Sequence, residues 1–327
     1  MEALLFAPFL GKALWLWVVF FSIIAVLLFL DLGVLHRRSH EIGVRESFKL
    51  CGFYVTVSLL FGLFIWYFLG QTLALEYLTG YVIEQSLSMD NIFVMAVIFG
   101  AMKIPRKYQH RVLFWGIVGV IVMRGGMIVM GATLIHNFHW VLYVFAAFLV
   151  FTGFKLLFMK ENDDDPKDMV EGNPVVQYLR RHFNITRELH GQKFIIRQPH
   201  PKTGKSTLFF TPLFLTLITI EMADVLFAVD SVPAIFAITS DTFIVFSSNI
   251  FAILGLRALY FALSAMLERF AYLKYALALV LIFIGSKVFL VDLFGWQKFP
   301  PSISLSVTLG LLTVGVVYSL YKTRDKA

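Results

Sequence analysis

Apolar residues dominate this chain in runs of about twenty, each long enough to cross a bilayer as a helix, with short polar connections between them. Nine such runs are predicted, near 13–34, 52–70, 78–100, 112–134, 140–159, 209–238, 243–266, 272–291 and 302–321. The first, "ALWLWVVFFSIIAVLLFL", is too long for a signal-peptide core and has no small-residue cleavage site after it, so it reads as a membrane span. Residues 160–208 interrupt the series as the only soluble stretch of any size. Within it, Asn173-Pro174 supplies a cap and first turn for an amphipathic helix, "VVQYLRRHF", with Val175, Val176, Leu179 and Phe183 on one face. The segments "KFIIRQ" and "STLFF" flank the turn-rich "PHPKTGK", which predicts a small hairpin.

Composition sharpens this picture. Of the 327 residues 59% are hydrophobic and only 15% charged, and the mean hydropathy is +0.79, where a soluble chain would carry far more charge. A single cysteine, Cys51, excludes an intrachain disulfide framework and a cysteine cluster for zinc. The net charge of +7 raises nucleic acid as a partner, but its placement argues for the lipid bilayer instead. Lys and Arg gather in alternate connections: Arg37, Arg38, Arg45 and Lys49; Lys103, Arg106, Lys107 and Arg111; the loop 160–208; Arg269 and Lys274; and the tail with Lys322, Arg324 and Lys326. The connections between these hold almost none, Lys298 being the exception. Positive loops stay in the cytoplasm, so the N-terminus is expected outside and the C-terminus inside.

Several motifs fail on their context. "GKST" at 204–207 ends like a phosphate-binding loop, but Pro199 stands where its first glycine belongs, and a membrane span follows it. The "DDD" at 163–165 lacks the glycine and distal glutamate of a calcium loop. His36 and His40 have helical ligand spacing yet sit in a basic connection. No nucleophile–base pairing or Ser-containing elbow is present, so we expect neither an enzyme nor a resident cofactor.

An internal repeat carries the chemistry instead. In "VIEQSLSMDNIFVMAVIF", Glu84 precedes Asp90 by six residues, and in "ITIEMADVLFAVDSVPAIFAI", Asp224 precedes Asp230 by the same six. Arg124 follows Asp90 by 34 residues and Arg257 follows Asp230 by 27, each inside the next run. "FTGFK", ending in Lys155, and "FIGSK", ending in Lys287, close the two copies. With the first copy starting outside and the second inside, the chain is predicted as an all-α integral membrane protein of about nine helices with an inverted-topology three-plus-three repeat. The division is two leading spans (1–77), the first repeat (78–159), the loop (160–208), the second repeat (209–291), and a last span and tail (292–327).

Transporters of that build bind their substrate where the repeats meet near the midplane, so the intramembrane acids Glu84, Asp90, Glu221, Asp224 and Asp230 are expected to face a hydrated cavity. Five carboxylates against Arg124, Arg257, Lys155 and Lys287 leave negative charge in surplus, with Asp31 a further acid, which favours a cation. The two lysines lie near span ends and are expected to snorkel outward. Six residues put Glu84 and Asp90 about 120° apart on a straight helix, so one point cannot take both. Pro233 removes the amide that would bind the carbonyl of Val229 and predicts a broken helix beside Asp230 and Ser231. The first copy has no proline, and Ser86, Ser88 and Asn91 supply its polarity, while Asn249 and Ser264 are expected to make helix–helix hydrogen bonds.

At "EQSLSMDNIFV", "EMADVLFAVDSVPAIFAIT" and "NIFAILGLRALYF" the chain resembles the TerC family of bacterial integral membrane proteins, nearest its Alx-type branch. The resemblance implies divalent-cation export, chiefly of Mn²⁺, across the bacterial cytoplasmic membrane, with links to tellurite resistance and alkaline or metal stress. It places the family's acidic motif on Glu84, Asp90, Glu221, Asp224 and Asp230. Oxygen ligands alone suit Mn²⁺, Mg²⁺ and Ca²⁺ about equally, so the metal's identity rests on the resemblance. Without a nucleotide site, proton antiport is the simplest energy source. The alternative expectation is a membrane scaffold that recruits protein partners through loop 160–208.

Overall fold

The structure, a computed structural model, describes residues 8–30, 44–138, 140–158, 174–186, 188–199, 206–263, 272–295 and 299–323. Asp31, His36, His40, Ser264 and "DDD" lie outside the described residues, as do the side chains of Asp90 and Asp230. Two residue pairs, β1 (Pro8–Phe9) and β2 (Lys12–Ala13), form a small antiparallel turn ahead of α1 (Leu14–Leu30). Then come α2 (Val44–Leu69), α3 (Gln71–Ala101), α4 (Arg106–Asn137) and α5 (Val141–Phe158). A short helix α6 (Pro174–His182) and the hairpin of β3 (Ile195–Pro199) and β4 (Ser206–Phe210) follow, where the sequence predicts them. Helices α7 (Pro212–Phe236), α8 (Thr242–Leu263), α9 (Leu273–Leu293) and α10 (Pro301–Lys322) complete the chain.

This is an all-α membrane protein. Among the described residues seven helices are long and apolar enough to cross a bilayer, and Leu14–Leu30 and Val141–Lys155 are shorter apolar helices. Helix α3 begins earlier than the hydropathy pattern suggests. Only Gly70 separates it from α2, and its φ of +94° permits a reversal that a side chain would strain. The early start brings Glu76 into the helix, where it is buried.

Helix α8 is buried along nearly its whole length, which suits a helix apolar on every face. Aromatic side chains from α1 and α2 cover one side of it: Phe61 lies 4.7 Å from Phe251, and Trp17 meets Phe243 edge-on at 5.1 Å. Asp241 starts α8 by accepting from the amides of Phe243 and Ile244, and pairs with Lys12 at 2.8 Å. Helices α3 and α4 each pack on both α7 and α8. Helix α5 packs closely on α9 through two glycines with matching surroundings. A Cβ on Gly153 would fall 2.7 Å from the Ala278 carbonyl oxygen, and one on Gly285 would fall 2.5 Å from that of Ala146. Each glycine thus meets the carbonyl seven residues before the other.

Two apolar clusters form the core. The larger includes Ile83, Ile117, Val120, Ile128, Ala228 and Val232. The second includes Ile92, Ile98, Val112, Leu215 and Ile220, and takes in Val176 from α6. Gln192 and Lys193 are anchored to the bundle: the Arg111 guanidinium donates to Gln192 Oε1 at 3.0 Å, and the Thr211 hydroxyl donates to the Lys193 carbonyl at 2.7 Å.

The predicted break at Pro233 is absent. Helix α7 runs continuously to Phe236, with Pro233 in its last turn. Only three helical residues follow the proline, so the lost amide costs one bond near an end rather than interrupting a long ladder.

Candidate functional site

A buried guanidinium organises the polar residues of the bundle. Arg124 on α4 is 1% exposed, and Glu84 on α3 and Asp224 on α7 are each 2% exposed. Burial of such charges is costly unless every donor and acceptor is served. Arg124 Nε donates to Asp224 Oδ2 and Nη2 to Asp224 Oδ1, both at 3.1 Å, a bidentate pair. Its Nη1 donates to Glu84 Oε1, to Ser231 Oγ at 3.0 Å and to Asn249 Oδ1 at 2.9 Å. Asn91 Nδ2 braces the same Asp224 Oδ1 at 3.2 Å. Four helices, α3, α4, α7 and α8, therefore converge on one side chain.

The helices position these groups by simple spacing. Glu84, Ser88 and Asn91 stand four and then three residues apart, on one face of α3. Asp224 and Ser231 are seven apart on α7, two turns on the same face. Several buried atoms nearby in sequence have no hydrogen-bond partner among the described residues: Gln85 Oε1, Ser88 Oγ, Asn91 Oδ1, Asn249 Nδ2 and both oxygens of Glu221. Such orphaned atoms are uncommon in well-packed interiors and mark places where a ligand or water belongs. Ser86 instead satisfies itself on the Val82 carbonyl at 2.7 Å.

The structure thus brings together Glu84, Asp224, Arg124, Asn91, Ser231 and Asn249. Glu221 stands apart from Arg124's partners. Its carboxylate lies against α4, where a Cβ on Gly119 would be 2.7 Å from both oxygens. Arg257 on α8 donates from Nη1 to His110 Nε2 on α4 at 3.0 Å. Lys155 is exposed in the last turn of α5. Lys287 departs from the snorkelling expectation: it is buried in α9 and donates to Ser304 Oγ at 3.2 Å, because α10 closes over that face. Among the described residues, no three His, Cys, Asp or Glu side chains are grouped as a metal site.

Sequence reasoning missed His110 and Glu76. His110 sits in a basic stretch that reads as a connection, and Glu76 precedes the apolar run that marks α3. A helical register extended backward from Arg124 and Glu84 was the available signal for both.

The model of the "Integral membrane protein TerC family" matches residues 69–327. The chain belongs to the TerC family. An "Uncharacterized membrane protein" of Rickettsia bellii is 46% identical over 306 residues, covering 94% of this chain and 97% of the relative. The "Putative membrane-bound redox modulator Alx" of Salmonella typhi is 43% identical over 322 residues, covering 95% of this chain and 96% of the relative. Its Escherichia coli K12 counterpart is 42% identical over 315 residues, covering 94% of each. No solved structure matches the chain. The TerC match takes in every element of the site, from α3 to α8.

Proposed function

We propose that this TerC protein is a secondary transporter that exports divalent cations, Mn²⁺ foremost, from the cytoplasm across the bacterial inner membrane. The observation that carries the proposal is the meeting of Glu84 and Asp224 on one buried guanidinium. These acids hold matched positions in the two sequence copies, and each copy contributes one of them to the same point. The reciprocal Gly153 and Gly285 contacts support the reading of the copies as an inverted repeat, while nine spans and an outside N-terminus rest on the hydropathy and the Lys/Arg pattern.

In this scheme Glu84 and Asp224, with the oxygens of Asn91 and Ser231, are hard ligands for the cation, and Asp90 and Asp230 complete the set. Arg124 balances the acids while the site is empty. Alternating access is a rocking of one three-helix copy against the other, and protons returning on the carboxylates supply the energy. Metal selectivity rests on the family resemblance, since carboxylate and carbonyl oxygens serve Mn²⁺, Mg²⁺ and Ca²⁺ alike. A redox role, the word in the Alx relatives' name, has one thiol to use, Cys51 in α2, and no dithiol within the chain.

The test is metal flux in proteoliposomes containing the purified protein, with each divalent ion and an imposed pH gradient. Mn²⁺ movement with opposite proton movement is expected. Flux equal to empty liposomes for every ion would remove the transporter reading.

A further inference from the structure

Arg124 and a cargo cation compete for the same atoms. Both oxygens of Asp224 already accept from the guanidinium, and Glu84 accepts from Nη1. A divalent ion cannot take these carboxylates until the guanidinium leaves them. Arg124 is fully buried, and its charge needs another acceptor within the membrane.

Glu221 offers a charged acceptor. Glu221 is 9% exposed, and neither of its oxygens has a hydrogen-bond partner among the described residues. It precedes Asp224 by three residues on α7, which is about 4.5 Å along the axis and about 60° around it. Its carboxylate rests against Gly119 on α4, five residues before Arg124 on that same helix. Gly119 lies about 7.5 Å along α4 from Arg124 and about 140° around it, so the long side chain of Arg124, which leans toward the N-terminus of its helix, has to swing across the helix face to reach Glu221. The absence of a side chain at Gly116 and Gly119 leaves room there for the carboxylate.

We propose that Glu221 is the second seat of the Arg124 guanidinium rather than a metal ligand. The guanidinium moves from Glu84 and Asp224 to Glu221 as the divalent cation arrives, and returns when the cation leaves. Charge favours this exchange. A doubly charged cargo more than replaces the guanidinium's single charge at Glu84 and Asp224, and the displaced guanidinium meets the carboxylate of Glu221.

This inference rests on the transporter reading, and a double-mutant cycle separates the two. Mn²⁺ binding is measured by titration calorimetry on the full-length protein in detergent. Glu221→Gln weakens binding roughly tenfold in the otherwise unaltered protein, the change that about 1.4 kcal/mol of coupling gives. In an Arg124→Gln background it changes nothing, because no guanidinium needs a second seat. An equal loss in both backgrounds makes Glu221 a direct ligand and overturns the proposal. Absence of Mn²⁺ binding by the unaltered protein would count against the transporter reading, and a metal-free arm then decides the inference, as it does if Arg124→Gln fails to fold. With its bidentate partner removed by Asp224→Asn, Arg124 falls back on Glu221. Glu221→Gln should then lower the melting temperature of the Asp224→Asn protein by several degrees, while leaving that of the unaltered protein level or raised. Equal shifts in the two proteins would overturn the proposal.

Discussion

Stranding one charge of a buried pair destabilises more than removing both, and Arg124 with Asp224 offers a direct measurement. Asp224→Asn keeps the side-chain shape but neutralises the group that accepts from Nε and Nη2 at 3.1 Å. Removing one member of a buried ion pair costs about 3–5 kcal/mol. The lower end applies to Asp224→Asn, because Glu84, Ser231 and Asn249 still accept from Nη1. Arg124→Gln belongs at the upper end, about 5 kcal/mol, since it leaves two buried carboxylates and only the Asn91 amide to serve Asp224. In the double variant the charge of Asp224 is no longer stranded. Its cost should therefore fall short of the sum of the single costs by about 2–3 kcal/mol. The assay is reversible unfolding of the purified protein in mixed micelles, followed by tryptophan fluorescence and helical circular dichroism. Costs that add to within about 0.5 kcal/mol would refute the reasoning, as would an Asp224→Asn protein as stable as its parent.

Other expectations follow from the packing and the charge pattern. Gly153→Ala should lower stability by about 1–3 kcal/mol, because its Cβ would meet the Ala278 carbonyl oxygen at 2.7 Å and force α5 from α9. Gly126→Ala, with nothing within 4 Å of the new Cβ, should be neutral or stabilising by about 0.5–1 kcal/mol; thermal melts of the two proteins check both signs. Asp241→Ala should cost about 1–2 kcal/mol through the lost cap of α8, and Lys12→Met under about 1 kcal/mol, since the Lys12–Asp241 pair is partly exposed. In a Cys51→Ser background, an impermeant thiol reagent should reach a cysteine at Asn137 from outside the cell and one at Arg181 only from inside. The reverse pattern would overturn the proposed orientation.

Much of this protein can be read along the chain because a bilayer restricts what a helix can carry. Runs of apolar residues announce the spans, and the amphipathic helix and hairpin of residues 174–210 follow from spacing and turn residues alone. An acid or arginine inside such a run must find a partner, so Glu84, Asp90, Glu221, Asp224 and Asp230 announce themselves together with Arg124 and Arg257. Which partner each one finds is not written in the run. Arg124 takes an acid from each sequence copy while Arg257 reaches His110, Lys287 turns to Ser304, and Glu221 is left against the glycines of α4. Periodicity gives the face on which a residue lies, but the rotation of each helix about its axis and its depth beside its neighbours are free in the sequence. Close packing fixes them: Gly153 and Gly285 set how α5 meets α9, and the reversal at Gly70 sets where α3 begins. A helical residue advances only about 1.5 Å along the axis, so a shift of a few residues in depth exchanges one charged partner for another.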